Sequence, residues 1–198
     1  MERFNTGLIA APGKRSNMED RFIVVQDMKL NVHLPISIYS VLDGHGGVQC
    51  AIFLRENLEP EIRKNLLDAK LGIYGTERGK FNECISGALT KSFMDLDERF
   101  YDKFGENYVA KKCGSTAVLI LIVGSHIFCA NVGDSRAVLS SNGKAIDLSL
   151  DHKASRKDEV ARILEHDGVI EFGRVGAKLA ITRAFGDFEF KLVVDEHG

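Results

Sequence analysis

Two apolar stripes at helical spacing stand next to each other in the middle of this chain, with strand-like segments on both sides, and that order restricts the fold more than any other feature. Leu54, Leu58, Ile62 and Leu66 recur every fourth residue, and Phe81, Ile85, Leu89, Phe93, Leu96, Phe100 and Phe104 repeat at three and four. Both follow the 3.6-residue period of a helix with one buried face. The second is long enough for about six turns, and its aromatic residues read as core. Pro60 falls inside the first and is expected to kink it or split it into two helices.

Before the stripes, residues 22–26 and 36–42 are β-rich and end at Asp27 and Asp43. After Cys113, residues 116–123, 126–132, 136–140 and 145–148 form a meander of hairpins, with Gly124-Ser125 and Asn142-Gly143 suited to two-residue primed turns. A short helix follows, with Ser155 as its expected N-cap, Asp158 at the third position and Gly168 as the left-handed residue after its end. Short strand-like pieces are expected over residues 169–181. Strands before and after a helical pair argue against an alternating βαβ sheet and for an α+β fold, with helices packed outside layered antiparallel sheets.

The length of 198 residues favours one domain. With 26 basic against 28 acidic residues, no charge imbalance points to nucleic acid. The longest apolar run, residues 117–123, is far below the ~18 residues of a membrane span. Cys50, Cys84, Cys113 and Cys129 lack the paired spacing of zinc sites and read as thiols in a reducing compartment. With no apolar stretch of signal-peptide length and Glu at position 2, the expected location is cytoplasmic or nuclear.

Three acidic stretches end or interrupt the β segments: Met18-Glu19-Asp20, Asp43-Gly44-His45-Gly46-Gly47 and Gly133-Asp134-Ser135-Arg136. Carboxylates at strand ends suit hard divalent cations, which prefer oxygen ligands and retain water. Singly, each has an ordinary reading: an aspartate after a strand is usually a turn former, and Gly133-Asp134 alone makes a hairpin corner. His45 is two positions from the best ligand candidate and of a type that donates a proton near neutral pH. Arg15, four residues before Glu19, has the planar fork that suits a phosphate dianion. Residues 75–80 (GTERGK) are one residue short of a P-loop, with Phe81 where a magnesium-binding hydroxyl is needed. No cysteine has an arginine six positions later and there is no GxSxG elbow, so nucleophilic phosphatase and hydrolase loops are absent.

The segments GKRSNMEDRF, VLDGHGG, CGSTAVLILI, CANVGDSRAVLSSNGKAIDLSLDHKASRKDEVARI and LAITRAFGDFEFK resemble, in order and approximate spacing, the motifs of metal-dependent type 2C protein serine/threonine phosphatases. The likeness covers nearly the whole chain. It implies an α+β fold, a sandwich of two antiparallel β-sheets flanked by helices, with two Mg²⁺ or Mn²⁺ ions at one end. The implied activity is hydrolysis of phosphoserine and phosphothreonine by metal-activated water. Two ions ~4 Å apart can turn a bridging water into hydroxide and neutralise phosphoryl oxygens.

Carried over residue by residue, the resemblance makes Asp43 the carboxylate bridging both metals and the Gly44 carbonyl a ligand of one. Glu19 would bind that same ion directly or through water, and Asp20 would orient coordinated waters. Arg15 matches the arginine that holds the substrate phosphate, and His45 the general acid for the leaving alkoxide. Asp134 matches a ligand of a weaker third metal. Thr116 and Asp187 are expected to support the geometry. The family's later SDG and DN aspartates have no counterpart, and Asp195 lacks their context. One ion would then keep Glu19, Asp43 and Gly44, and the other Asp43 alone. The expectation is a single type 2C phosphatase-like domain over residues 1–198, truncated at its C-terminal end. It would act on phosphorylated proteins as a monomer, with no nucleic-acid or membrane partner. The alternative is a weak or inactive phosphatase-like binding or regulatory module.

Overall fold

The computed structural model describes residues 4–30, 34–69, 78–104 and 111–191. Three strands come first: β1 (Arg21–Val25), β2 (Ile36–Leu42) and β3 (Gly44–His45). Helices α1 (Gln49–Asp68) and α2 (Arg78–Phe104) follow, then β4 (Gly114–Ser115), β5 (Ala117–Val123), β6 (His126–Val132), β7 (Val138–Ser141) and β8 (Lys144–Asp147). The last elements are α3 (Lys157–Glu165), β9 (Ile170–Glu171), β10 (Arg174–Val175), β11 (Phe185–Gly186) and a 3₁₀ turn, Phe188–Phe190. Positions 75–77 of the GTERGK segment, like Asp195, lie outside the described residues; its last three positions already belong to α2.

Strands β1, β2, β5 and β6 form one antiparallel sheet in the order β1-β2-β5-β6. Directly paired residues share a face, so the register sorts the side chains. Ile23, Val25, Ile36, Ile38, Leu42, Ala117, Leu119, Leu121, Val123 and Phe128 point to one side and join the core. Ser40 is the polar member of that face and donates its hydroxyl to the Val118 carbonyl at 3.0 Å. Helices α1 and α2 cover this side through the stripes read from the sequence. Leu54, Leu58, Ile62, Leu66, Ile85, Leu96 and Phe100 are fully or almost fully buried, and Phe53 meets Phe100 with ring centroids 5.3 Å apart. The fold is α+β, with antiparallel sheets and flanking helices. The other face of the sheet carries Phe22, Val24, Val41 and Ile127 at 39–46% exposure.

Pro60 does not break α1, which runs through it for 20 residues. Proline removes one intrahelical donor, here the one owed to the Glu56 carbonyl. Glu56 and Pro60 both lie on the exposed side, where that carbonyl is within reach of solvent, while Leu58 and Ile62 hold the helix to the core. A cost remains, because proline is about 3 kcal/mol less favourable than alanine inside a helix. Pro60→Ala is therefore expected to raise stability by about 1–3 kcal/mol in urea unfolding, after allowing for the freer unfolded chain.

The ends of α3 also differ from expectation. Its N-cap is Arg156, with no side-chain capping bond, and Ser155 lies one residue outside. Asp158 pairs with Arg156 rather than completing a cap. At the C-terminus Asp167, not Gly168, takes the left-handed conformation (φ 56°). Gly168 is needed for close approach instead: its N–H bonds the Ile163 carbonyl at 2.9 Å, and a Cβ there would stand 2.6 Å from Ile163 Cγ2. No helix among the described residues is long and apolar enough to cross a membrane.

Candidate functional site

At the end of β2 the chain leaves the four-stranded sheet. Asp43 marks the exit, and Gly44–His45 pair with Gly114–Ser115 in a small antiparallel sheet of order β11-β4-β3. Thr116 fixes this corner twice. Its N–H donates to the Asp43 carbonyl at 2.9 Å, and its hydroxyl accepts from the Asp43 N–H at 3.1 Å. The same hydroxyl lies 2.6 Å from Ser135 Oγ, which ties the Gly133–Arg136 loop to Asp43.

The N-terminal acidic stretch is brought to that corner by backbone contact. Gly44 packs against the Glu19 carbonyl so closely that a Cβ would come within 2.6 Å of the oxygen. Arg21 folds back to donate to the carbonyls of Met18 and Asp20, at 3.1 and 2.7 Å, shaping the turn before β1. A polar hollow of ≈ 230 Å³ results, lined by Arg15, Asn17, Met18, Glu19, Asp20, Asp43 and Gly44, with Ala11 and Pro12 at its side.

The hollow is electrostatically unbalanced. Partial burial raises the pKa of the Asp43 carboxyl, and the Asp20 and Asp134 carboxylates raise it further, against the opposing pull of His45. Among the described residues no arginine forms an ion pair with Glu19, Asp20 or Asp43. The Arg15 side chain also lacks an ion-pair partner there. No group of three or more His, Cys, Asp or Glu side chains among the described residues is arranged to hold a metal ion unaided. The donor set fits a hard cation that keeps much of its water, bound by one or two carboxylates and a carbonyl, as Mg²⁺ commonly is.

Of the residues singled out from the sequence, Arg15, Glu19, Asp20, Asp43 and Gly44 thus share one hollow. His45 stands beside it, with Nε2 2.7 Å from Asp187 Oδ2. Burial alone would lower the imidazole pKa, but the hydrogen bond and charge of Asp187, aided by Asp43 and Glu19, raise it above the ordinary value. Asp134 is outside the lining and is ion-paired to Lys153 at 3.1 Å. Sequence reading missed Gly114, over whose backbone His45 and Asp187 meet, and Asp97 of α2, which accepts from the Gly186 N–H at 2.8 Å. Gly114 sits in the GSTA motif, so its neighbourhood was marked; Asp97, inside an amphipathic helix, carried no local signal.

A family profile described as protein phosphatase 2C matches residues 4–196. The chain belongs to that family. Within the protein phosphatase 2C family it is 39% identical over 186 residues to protein phosphatase 2C homolog 3 of Schizosaccharomyces pombe, covering 93% of this chain and 42% of that protein. It is 36% identical to the probable protein phosphatase 2C 13 of Arabidopsis thaliana, over 94% of this chain and 49% of that one. The chain spans about half the length of the curated relatives it matches. A solved structure of a Caenorhabditis elegans sex determining protein superposes with a TM-score of 0.68 at 28% identity, covering 89% of this chain and 42% of that one. A phosphatase from Toxoplasma gondii, 21% identical, shares the fold with a TM-score of 0.66 over 91% of this chain and 63% of that one.

Proposed function

We propose that this chain is a Mg²⁺- or Mn²⁺-dependent protein serine/threonine phosphatase, acting on phosphorylated proteins as a monomer in the cytoplasm or nucleus. The observation that carries this reading is the meeting of Arg15, whose guanidinium has no ion-pair partner among the described residues, with Asp20 and Asp43 in one hollow. A phosphate dianion and a divalent cation are the two ligands that such a mixed surface suits. The four cysteines are free thiols, consistent with a reducing compartment.

In the proposed reaction, a water oxygen bonds to phosphorus as the bond to the serine or threonine oxygen breaks, giving orthophosphate and the free alcohol. Arg15 clamps the equatorial phosphoryl oxygens through its planar fork. Asp43, Glu19, Asp20 and the Gly44 carbonyl are the groups that would hold the cation and its waters. When bound, that cation supplies Lewis acidity, neutralising phosphoryl charge and acidifying water. His45 gives a proton to the departing alkoxide. Its raised pKa keeps it protonated to a higher pH than an ordinary histidine.

The chain is expected to hydrolyse para-nitrophenyl phosphate when Mn²⁺ is added and to stop when chelator is added. Turnover that survives exhaustive chelation would rule the mechanism out. The alternative reading is a phosphatase-like module that binds phosphoproteins without turnover. Calorimetric titration with Mn²⁺ separates the two: two saturable sites support the enzyme, and one or none, with phosphopeptide binding intact, supports the module.

A further inference from the structure

Asp187 is a buried carboxylate, 3% exposed, held in a left-handed backbone conformation (φ 51°). Both features carry a cost. An ionised carboxylate is expensive to bury without a partner, and a non-glycine residue at positive φ persists only where its surroundings impose it. Among the described residues its one ion pair is with His45. The surroundings that impose the conformation are visible. Asp187 N–H bonds the Cys113 carbonyl at 3.1 Å, and Phe185–Gly186 pair with Gly114–Ser115. Asp97 accepts from the Gly186 N–H, and Lys191 bridges Asp97 and the Ala184 carbonyl at 2.6 and 2.7 Å.

The small sheet aligns Gly186, Gly114 and His45 in one row, with Gly114 in the centre. A Cβ on Gly114 would stand 2.5 Å from both Asp187 Oδ2 and His45 Nε2. The bare backbone of Gly114 is therefore the floor on which the two side chains meet, although 142 residues separate them in sequence.

We propose that Asp187 is a positioning residue: by accepting a hydrogen bond from Nε2 of His45 across Gly114, it locks the imidazole in one orientation and one tautomer. Nε2 then carries its hydrogen throughout the reaction. Nδ1 is left as the nitrogen that passes a proton to the leaving oxygen, after which His45 is neutral with Nε2–H retained. This rests on the phosphatase reading above.

Two measurements on the 198-residue chain test it. In ¹⁵N-edited NMR of the unsubstituted protein, the His45 signal, assigned by its loss in His45→Gln, is expected to show a slowly exchanging proton on Nε2 that disappears in Asp187→Asn. A slowly exchanging proton on Nδ1 with none on Nε2, or an Nε2 proton signal that Asp187→Asn leaves in place, overturns the pairing. In Mn²⁺-supported kinetics, para-nitrophenyl phosphate has a leaving group that departs without protonation, and phenyl phosphate has a poor one. Asp187→Asn is expected to lower the phenyl to para-nitrophenyl kcat ratio at least about tenfold, since general acid catalysis contributes roughly 10²–10⁴-fold. His45→Gln should lower it likewise, and the double variant no further. Equal loss on both esters would make Asp187 a structural tether and overturn the proposal. Turnover of neither ester overturns the hydrolase reading alone, and the NMR result still decides the pairing.

Discussion

Asp43→Ala is expected to cut Mn²⁺-dependent hydrolysis of para-nitrophenyl phosphate by at least about 100-fold, because even groups that only orient metal ligands are worth 10- to 100-fold. The same position should behave oppositely in stability. Burial and the Asp20 and Asp134 carboxylates raise the folded-state pKa of Asp43 above its ordinary value, so the folded chain binds that proton more tightly than the unfolded chain does. The resulting penalty is fully present above the folded pKa and fades as pH falls through it toward the ordinary value of 3.8. In metal-free buffer at neutral pH, Asp43→Asn should therefore melt slightly higher than the parent. The gain is no more than about 1 kcal/mol, because Asp43 is only partly withdrawn from solvent and its side chain still borders open water, which screens its charge. Retained activity in Asp43→Ala would remove the carboxylate from the proposed metal site. A lower melting temperature in Asp43→Asn would contradict the electrostatic account of the hollow.

Glu159 should produce the largest stability loss. It is 1% exposed on α3 and accepts from Arg183 at 2.7 Å, Arg162 at 2.9 Å and the Thr182 hydroxyl at 2.7 Å, joining the helix to the segment before β11. Burial by itself would raise its pKa, but the hydrogen bonds from Arg183, Arg162 and Thr182 outweigh it and bring the carboxyl to about 2 from 4.5. A depressed carboxyl pKa stabilises the fold above the unfolded value and ceases to do so as pH falls from 4.5 through about 2. At neutral pH the linked contribution is about 3 kcal/mol, one pKa unit being worth about 1.4 kcal/mol. Glu159→Ala, which strands two guanidinium groups, is expected to cost about 3–5 kcal/mol. Denaturant unfolding at pH 7 and again near pH 2.5 checks both: the gap between parent and variant should be large at the first and shrink at the second. A gap that does not change with pH would mean that packing, not charge, holds α3.

The network around Glu159 was not legible in the sequence, and neither was the meeting of His45 with Asp187. Both join residues far apart in the chain, and nothing in a local pattern says which distant arginine or carboxylate will arrive. Elements whose cause is local were legible. The burial of every second residue along Ile36–Leu42 and Ala117–Val123, and the left-handed pair Asn142-Gly143, follow from side-chain period and backbone sterics within a few residues. So did the apolar stripes of α1 and α2, since a helix displays its buried face every third or fourth residue.

The misreadings have the same origin. Pro60 and Ser155 carry real local preferences, for breaking and for capping. Yet Leu58 and Ile62 pressed into the core outweigh the first, and the start of α3 one residue later leaves the second without a donor to accept. The amino-acid order by itself determined the α+β layering and which residue types were available for phosphate and metal chemistry. Only the tertiary structure decided that Arg15, Glu19, Asp20 and Asp43 line one hollow, that Asp134 turns to Lys153, and that Gly114 leaves room for His45 to reach Asp187. Periodicity reports which side of an element is buried, whereas a site depends on distances between elements, which exist only after packing has brought them together.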